Sequence, residues 1–265
     1  MRSTSRCCRG RRRRERACEL TIQHSSHTHV ADERQRGGQV SLVVRNPPRT
    51  DRALVEGLAE FGVSTIHEAQ GRAHLLDPAL RPIWPGARAA GTAVTVSVPP
   101  GDNWMLHVAV EQCADGDLLV VAPTTPSSAG YFGELLATAL AYRGVRGLVI
   151  DAGCRDVAEL REMGFPVWAR HVCAFGTVKE TLGDVNVGLV CAGQWIEPGD
   201  VVVADDDGVV VVPRARAADV IAASQEREER EARSRERYAK GELSLDVNSM
   251  RDALAAKGLT YVDAQ

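Results

Sequence analysis

Between residues 89 and 170 the sequence alternates short β-branched runs with segments of helical spacing, and this alternation confines the fold to the α/β class. Val94, Val96 and Val98 alternate with smaller or polar residues and stop at Pro99–Pro100, the pattern of a strand. Leu106, Val110 and Cys113 then recur on one helical face, and an Asp115–Gly116–Asp117 turn leads into the apolar run Leu118–Ala122. The cycle repeats as a helix from near Gly133 to Arg143, a strand over Gly147–Gly153, a helix over Asp156–Gly164 and a strand over Pro166–Arg170. Upstream, Leu54, Leu58 and Phe61 lie at helical spacing between a capping Asp51 and Gly62, which predicts a surface helix. Downstream the period shortens. The runs 184–193, 200–208 and 209–213 read as successive strands joined by turns, so a mixed sheet in an α/β sandwich is expected. From Ala215 the chain turns helical and intensely charged, with Glu226–Arg230 and Glu231–Arg235 at four-residue spacing and no apolar stripe beyond Val220 and Ile221. Such a helix is a solvated arm or one that reaches over a neighbouring subunit.

Charge divides the chain near residue 38. Residues 1–38 hold ten Arg against four acids, a net of +6, whereas the whole chain carries −3, leaving −9 on the rest. Three parts are therefore expected: a basic disordered tail over 1–38, a catalytic α/β domain over 39–214, and a helical extension of that domain over 215–265 at a subunit interface. The Arg run at 11–14 is not followed by an apolar stretch of signal-peptide length, and no segment approaches the roughly eighteen uninterrupted apolar residues of a membrane span. The tail's charge would suit nucleic acid, but disorder accounts for it as well, and neither a nucleic-acid nor a membrane partner is expected. Of seven Cys, three lie in the tail, and the other four, Cys113, Cys154, Cys173 and Cys191, are widely spaced. This spacing fits neither a zinc site nor a disulfide framework, and a cytoplasmic location is expected.

Chemistry concentrates at Glu134 and at Arg155–Asp156, with twenty residues between the acid and the pair. The pair follows a predicted strand, in the loop beyond its carboxyl end, where open α/β sheets hold ligands. Glu134 opens a helix whose first-turn amides, those of Leu135 and Leu136 among them, suit a carboxylate, and Gly133 permits close approach. Arg155 can grip the same carboxylate in bidentate fashion, and Asp156 offers a hard oxygen to a divalent cation. A 2-oxo acid would fill two open positions on such a cation, which makes retro-aldol cleavage the natural reaction. The alternative electron sink is a Lys imine. Only Lys179, Lys240 and Lys257 are present, and the polar neighbours of Lys179 do not supply the desolvation an imine former needs. For the base that takes the hydroxyl proton, the candidate is a metal-linked water held by Glu134.

The segments 62–72, 99–112, 130–140, 147–156, 165–170, 176–183 and 198–213 together resemble the family of 4-carboxy-4-hydroxy-2-oxoadipate and 4-hydroxy-4-methyl-2-oxoglutarate aldolases, over most of residues 50–262. That family's acid, twenty residues, Arg-Asp signature falls on Glu134, Arg155 and Asp156. The resemblance implies that Asp156 ligates Mg2+ or Mn2+ directly, that Arg155 binds the substrate carboxylate, and that Gly133, Glu134, Leu135 and Leu136 cradle pyruvate. It implies cleavage to pyruvate and oxaloacetate (or two pyruvates) in aromatic-compound breakdown, oxaloacetate decarboxylation as a second activity, and a swivelling α/β/α sandwich in homotrimers or hexamers. It also implies that an acid from a neighbouring subunit, best matched by Glu231 and otherwise by Glu228 or Glu229, completes the metal's water shell. Glu134 departs from the Asp of close relatives and lengthens that arm by one methylene, which a role through water tolerates.

Blander readings apply to the other polar residues. Asp205–Asp207 between Val-rich runs reads first as a hairpin turn. Asn103 stands at a helix start, where it either caps or meets the distal substrate carboxylate. His107 and His67 read as packing residues or remain unassigned. The same fold also resembles a non-catalytic regulator that binds ribonuclease E, and that is the rival function. A methyltransferase would want a glycine-rich cofactor loop, which GVRGLVIDAGCRD does not provide.

Overall fold

Nine of the ten residues of Ala89–Val98 are buried, because alternating Val and small side chains fill both faces of this strand with no charge to accommodate. In the computed structural model, which describes residues 40–264, this strand is β2, following the short β1 (Arg81–Pro82). The basic tail 1–38 lies outside the described residues. β3 (Asp117–Pro123), β5 (Leu148–Cys154) and β6 (Val167–Val172) extend the sheet in parallel from β2, and β4 (Gly130–Phe132) pairs in parallel with the end of β5. On the other side of β2, β10 (Val201–Asp205) and β11 (Gly208–Val212) form an antiparallel hairpin, while β7 (Asp184–Val185) adds to β2 and β1 to β6. The resulting order is β1-β6-β5-β3-β2-β10-β11, a mixed sheet. The run 184–193 is not one strand. It breaks at Asn186 (φ 58°) into β7 and β8 (Leu189–Cys191), and β8 forms a separate hairpin with β9 (Gln194–Ile196).

The helices lie on one face of the sheet. α3 (Trp104–Gln112), α4 (Glu134–Tyr142) and α5 (Val157–Glu162) bury Leu106, Leu136, Leu140 and Leu160 against Val96, Leu119, Leu148 and Ile150. α1 (Arg52–Ala59), α2 (Val63–Ala69) and the long α6 (Ala217–Ala239) bury Val55, Leu58, Ile66 and Val220 against Val201, Val203 and Val210. Ala90 of the second cluster and Val94 of the first have the same strand parity, so both helical groups cover the same side of β2. The opposite side, Leu118, Val120, Val149 and Trp168, packs on residues 76–87 and on Leu189, Cys191 and Ile196 of the β8–β9 hairpin, with no helical residue among them. Each fully buried aliphatic side chain contributes about 1.5–3 kcal/mol.

The α/β class, the mixed sheet and the C-terminal helical arm expected from the sequence are all present. α6 buries only Ala217, Val220 and Ser224 before its charged portion, and the arm ends in α7 (Ser244–Val247) and α8 (Arg251–Ala256). In α6 the ion pair that forms is Arg227–Glu231 at 2.8 Å, because Arg227 also turns toward Glu68 of α2 at 3.6 Å. No helix among the described residues is long and apolar enough to cross a membrane.

Candidate active site

β5 delivers the Arg-Asp pair at its carboxyl end. The Arg155 amide donates to the Phe132 carbonyl at 2.9 Å, which ties the end of β5 to the end of β4. Asp156 then turns the chain with φ 59° and ψ 42°, a left-handed conformation that non-glycine residues rarely adopt and that costs on the order of 1 kcal/mol or more. Its Oδ2 accepts a hydrogen bond from the Glu134 amide at 3.0 Å, so the carboxylate lies across the start of α4. Gly133 makes room for it. A Cβ there would collide with the Asp156 carboxylate and crowd Arg155, while its φ of −158° is ordinary extended backbone. Space is the reason for glycine at this position.

The first bond of the α4 ladder runs from the Ala137 amide to the Gly133 carbonyl at 3.1 Å, so the amides of Leu135 and Leu136 stand outside it. The Leu135 side chain is 81% exposed and that of Leu136 is buried. Glu134 Oε1 accepts a hydrogen bond from the Thr138 hydroxyl, one turn along the helix, at 2.9 Å. Arg155 Nε approaches Asp156 Oδ2 only to 3.9 Å, and with side chains 46% and 39% exposed both groups are open to a ligand. They border an open cavity of about 490 Å³ lined also by Val157, Val172, Cys173 and Ala174. The arrangement can grip a carboxylate with Arg155 and present carboxylate oxygen to a hard cation.

A family model described as RraA-like, Aldolase/RraA, matches residues 24–211, well over half of the sequence. The chain belongs to the RraA-like family. A relative from Halalkalibacterium halodurans, which carries the provisional name 4-hydroxy-4-methyl-2-oxoglutarate aldolase, is 29% identical over 60% of this chain and 77% of its own length. One of the same provisional name from Burkholderia multivorans is 36% identical over 54% of this chain and 87% of its own. Among solved structures, Streptomyces coelicolor RraAS2, described as an unusual member of the RNase ES inhibitor RraA protein family, superposes with a TM-score of 0.64 at 29% identity, covering 71% of this chain and 98% of that one.

In this RraA-like chain the structure brings Gly133 and Glu134 against Arg155 and Asp156, with Leu135 and Leu136 next on α4, while Asn103 and Glu231 make other contacts. Asn103 occupies the N-cap position of α3, but its side chain makes no capping bond. Its Nδ2 donates to the Tyr131 carbonyl at 2.8 Å, its Oδ1 is buried without a protein partner, and it does not line the cavity. The side-chain acceptor at the start of α3 is instead Asp102, one residue before the N-cap, whose Oδ1 accepts from the Trp104 amide at 2.9 Å. Glu231 is held by Arg227 on α6, away from the residues that line the cavity. Asp205 accepts from the Val63 amide at 2.8 Å and from the Asp207 amide at 2.9 Å, so the acidic run is a hairpin turn and a clasp on the start of α2. His107 lies on α3, where partial desolvation of the imidazole and then the nearby Lys179 charge push it below the ordinary value. His67 is half-buried on α2, and Lys179 is exposed in the loop after β6. Burial pushes the Cys113 and Cys154 thiols up to about 12 and that of Cys191 higher still, so these three are packing residues.

Two features had no signal in the family signature. Thr138 was recognisable only as a hydroxyl one helical turn after Glu134. Asp102 ties down the loop that follows β6: its Oδ2 accepts from the Glu180 and Thr181 amides, both at 2.7 Å. Burial works to raise the Asp102 carboxyl, but the amides of Trp104, Glu180 and Thr181 and the Lys179 charge together hold it below the usual carboxylate range. The same loop starts at the cavity with Cys173 and Ala174, so Asp102 steadies one wall of the site from beneath.

Proposed function

We propose that this protein is a divalent-metal-dependent aldolase that cleaves a 4-hydroxy-2-oxo acid and releases pyruvate. The observation that carries the reading is the strained Asp156, pinned across Gly133–Glu134 beside Arg155 at an open cavity. Backbone strain of this kind persists where the surrounding structure enforces it, and it clusters at functional sites. The relatives named as aldolases support the class of reaction.

No three His, Cys, Asp or Glu of the described residues converge as a metal cage; the ligands we propose from one chain are Asp156, directly, and Glu134, through water. This donor set fits Mg2+ or Mn2+, hard ions that keep several waters and need few protein carboxylates. When bound there, the cation supplies the sink for the charge that develops on the pyruvate fragment. Arg155 and the Leu135 and Leu136 amides hold the substrate carboxylate and fix the scissile bond relative to Asp156. A water held by Glu134 takes the proton of the 4-hydroxyl, the carbon–carbon bond breaks, and its electron pair remains on the pyruvate fragment, which is then protonated. Lys179 takes no part. The same residues would serve decarboxylation of oxaloacetate, and the substrates proposed are 4-carboxy-4-hydroxy-2-oxoadipate and 4-hydroxy-4-methyl-2-oxoglutarate, products of aromatic-ring breakdown.

A trimer or hexamer is part of the proposal. Leu135, Val172, Phe175, Val178 and Leu182 are exposed on and near the elements that form the cavity, an apolar set that a neighbouring subunit would cover, and Glu231 of that neighbour would approach the metal's water shell. The helical extension over 215–265 is assigned to this interface. The deciding experiment is a coupled assay of the purified protein with the two hydroxy-oxo acids and oxaloacetate side by side. Pyruvate release that depends on added Mg2+ or Mn2+ is expected. No turnover of any of the three would overturn the reading. The second reading, a regulator of ribonuclease E, is favoured by the likeness to RraAS2, and inhibition of that nuclease by a catalytically silent protein would establish it.

A further inference from the structure

We propose that a second cavity, at the carboxyl ends of β3, β5 and β6, binds a small carboxylate-bearing molecule. It measures about 300 Å³ and is lined by Thr124, Thr125 and Ser127 of the loop after β3 and by Asp151, Arg170 and His171. That volume is at the lower end of the range for small-ligand sites, and strand carboxyl ends are where open α/β sheets hold ligands. The lining shares no residue with the Arg155–Asp156 cavity. A strand irregularity shapes it. Ile150 pairs with Ala169 and Gly153 with His171, so β5 sets two residues, Asp151 and Ala152, against the single Arg170 of β6. Bulges of this kind re-aim side chains and recur beside functional sites. Arg170 and His171 both line the cavity, although neighbours along a regular strand face opposite ways.

The hydrogen bonds within the lining define the class of ligand. Asp151 Oδ1 accepts from Arg170 Nε, and Oδ2 accepts at 2.9 Å from the amide of Ala192, a residue of the β8–β9 turn in a left-handed conformation with φ 46°. Both oxygens of the one carboxylate in the lining are therefore engaged, and its charge faces that of Arg170. Arg170 Nη1 lies 3.6 Å from Asp77, beyond hydrogen-bond length, and Nη2 has no partner among the described residues. Asp77 is exposed, lies outside the lining and is bound by the Ala79 amide at 2.8 Å, so water screens its charge. Thr124, Thr125 and His171 are exposed, and their side chains pair with no other described residue. Ser127 Oγ accepts from the Ala129 amide at 3.4 Å and keeps its own proton to donate. Donors thus outnumber open acceptors, which calls for a ligand rich in acceptor oxygens. A planar carboxylate matches the Nη edge of a guanidinium already fixed through Nε, and that fixing lowers the ordering cost of binding. Pro123 and Pro126 add apolar wall, which suits a short carbon chain behind the carboxylate.

The test titrates succinate and, separately, inorganic phosphate into the full chain carrying Arg155→Ala, with chelator present, so that neither a metal nor the contact proposed at the other cavity contributes. Succinate should bind saturably, one per chain, and shift the NMR amide signals of Thr125, Ser127 and His171. Phosphate should bind more weakly. Adding Thr125→Val should weaken succinate by about three- to tenfold, the worth of one ordinary hydrogen bond. Adding Arg170→Lys should weaken it by about tenfold or more, because an ammonium lacks the planar fork. Thr125 is exposed, so its variant decides the matter even where a thermal melt shows that Arg170→Lys unfolds. Absence of saturable succinate binding, or an affinity unchanged by Thr125→Val, would overturn the site. Shifts confined to residues 155–157 and 172–174 would put the ligand in the other cavity and overturn it too, and phosphate binding as tightly as succinate would overturn the carboxylate assignment. Binding is read without turnover, so the result stands apart from the aldolase reading.

Discussion

A methyl group at Gly133 would occupy the space that the Asp156 carboxylate fills, and this one exclusion joins two segments that lie twenty residues apart in sequence. Gly133→Ala is therefore expected to displace Asp156, destabilise the fold by about 1–3 kcal/mol and abolish turnover. A thermal melt and a rate measurement on the same sample check both effects, and an active, stable variant would show that Asp156 does not depend on the space at Gly133. Arg155 has a different profile. It is half exposed and makes only a loose pair with Asp156, so Arg155→Ala should leave the melting temperature nearly unchanged. The same change should cost about 3 kcal/mol or more in kcat/KM through the lost carboxylate contact. A near-normal kcat/KM would exclude Arg155 from the site. That Arg155 and Asp156 lie together just past the end of β5 was legible in the sequence, because the strand pattern and the residue spacing carried it. Asp156's left-handed turn and Thr138's bond to Glu134 were not, since both depend on backbone angles and on where a side chain comes to rest.

Among the elements, two carboxylates act as clasps between segments far apart in the chain. Asp205, in the β10–β11 hairpin, accepts from the first amide of α2, a cap supplied from across the fold. Asp205→Ala should lower stability by about 1–2 kcal/mol, read from the denaturant midpoint, with activity retained. Asp102 joins the start of α3 to the loop that walls the cavity. Its carboxyl is held below the usual range in the folded protein, so the unfolded chain binds the proton more readily. The stabilisation is thus complete above the unfolded carboxyl value, about pH 4, and is lost as pH falls below it through the folded value. Asp102→Asn should be less stable than wild type at neutral pH, with the gap narrowing under acid. An unchanging gap from pH 7 to pH 3 would show that the ionised carboxylate contributes nothing. The sequence motif Pro-Pro-Gly-Asp-Asn points to Asn103 as cap or ligand; Asn103 does stand at the N-cap, but the side chain that bonds the first helical amide is that of its neighbour Asp102. Side-chain identity alone does not separate adjacent Asp and Asn at a helix start, because both types cap well.

Across the whole molecule, the described chain holds Asp156 at one cavity with the Glu134 amide bonded to its carboxylate, the third proposed acid paired with Arg227 on α6, and exposed apolar residues on α4 and in the segment 172–182. Two outcomes are expected together. Chelation should abolish pyruvate release, with Mg2+ or Mn2+ restoring it, and sedimentation should find a trimer or larger whose dilution to monomers lowers activity. Activity in chelator would sink the metal mechanism, and a fully active monomer would sink the shared site. The sequence by itself determined the α/β class, the position of the Arg-Asp pair past a strand end, and the break between basic tail and acidic body. Those follow from local periodicity, turn chemistry and charge, which are written residue by residue. Only the tertiary structure decided that both helical groups share one face of the sheet, that Gly133 is needed for space and that Asp205 and Asp102 are clasps. It also decided that Glu231 spends its charge on Arg227 within its own chain. Apart from the Glu231–Arg227 pair, which lies within one helix, these rest on packing between residues remote in sequence.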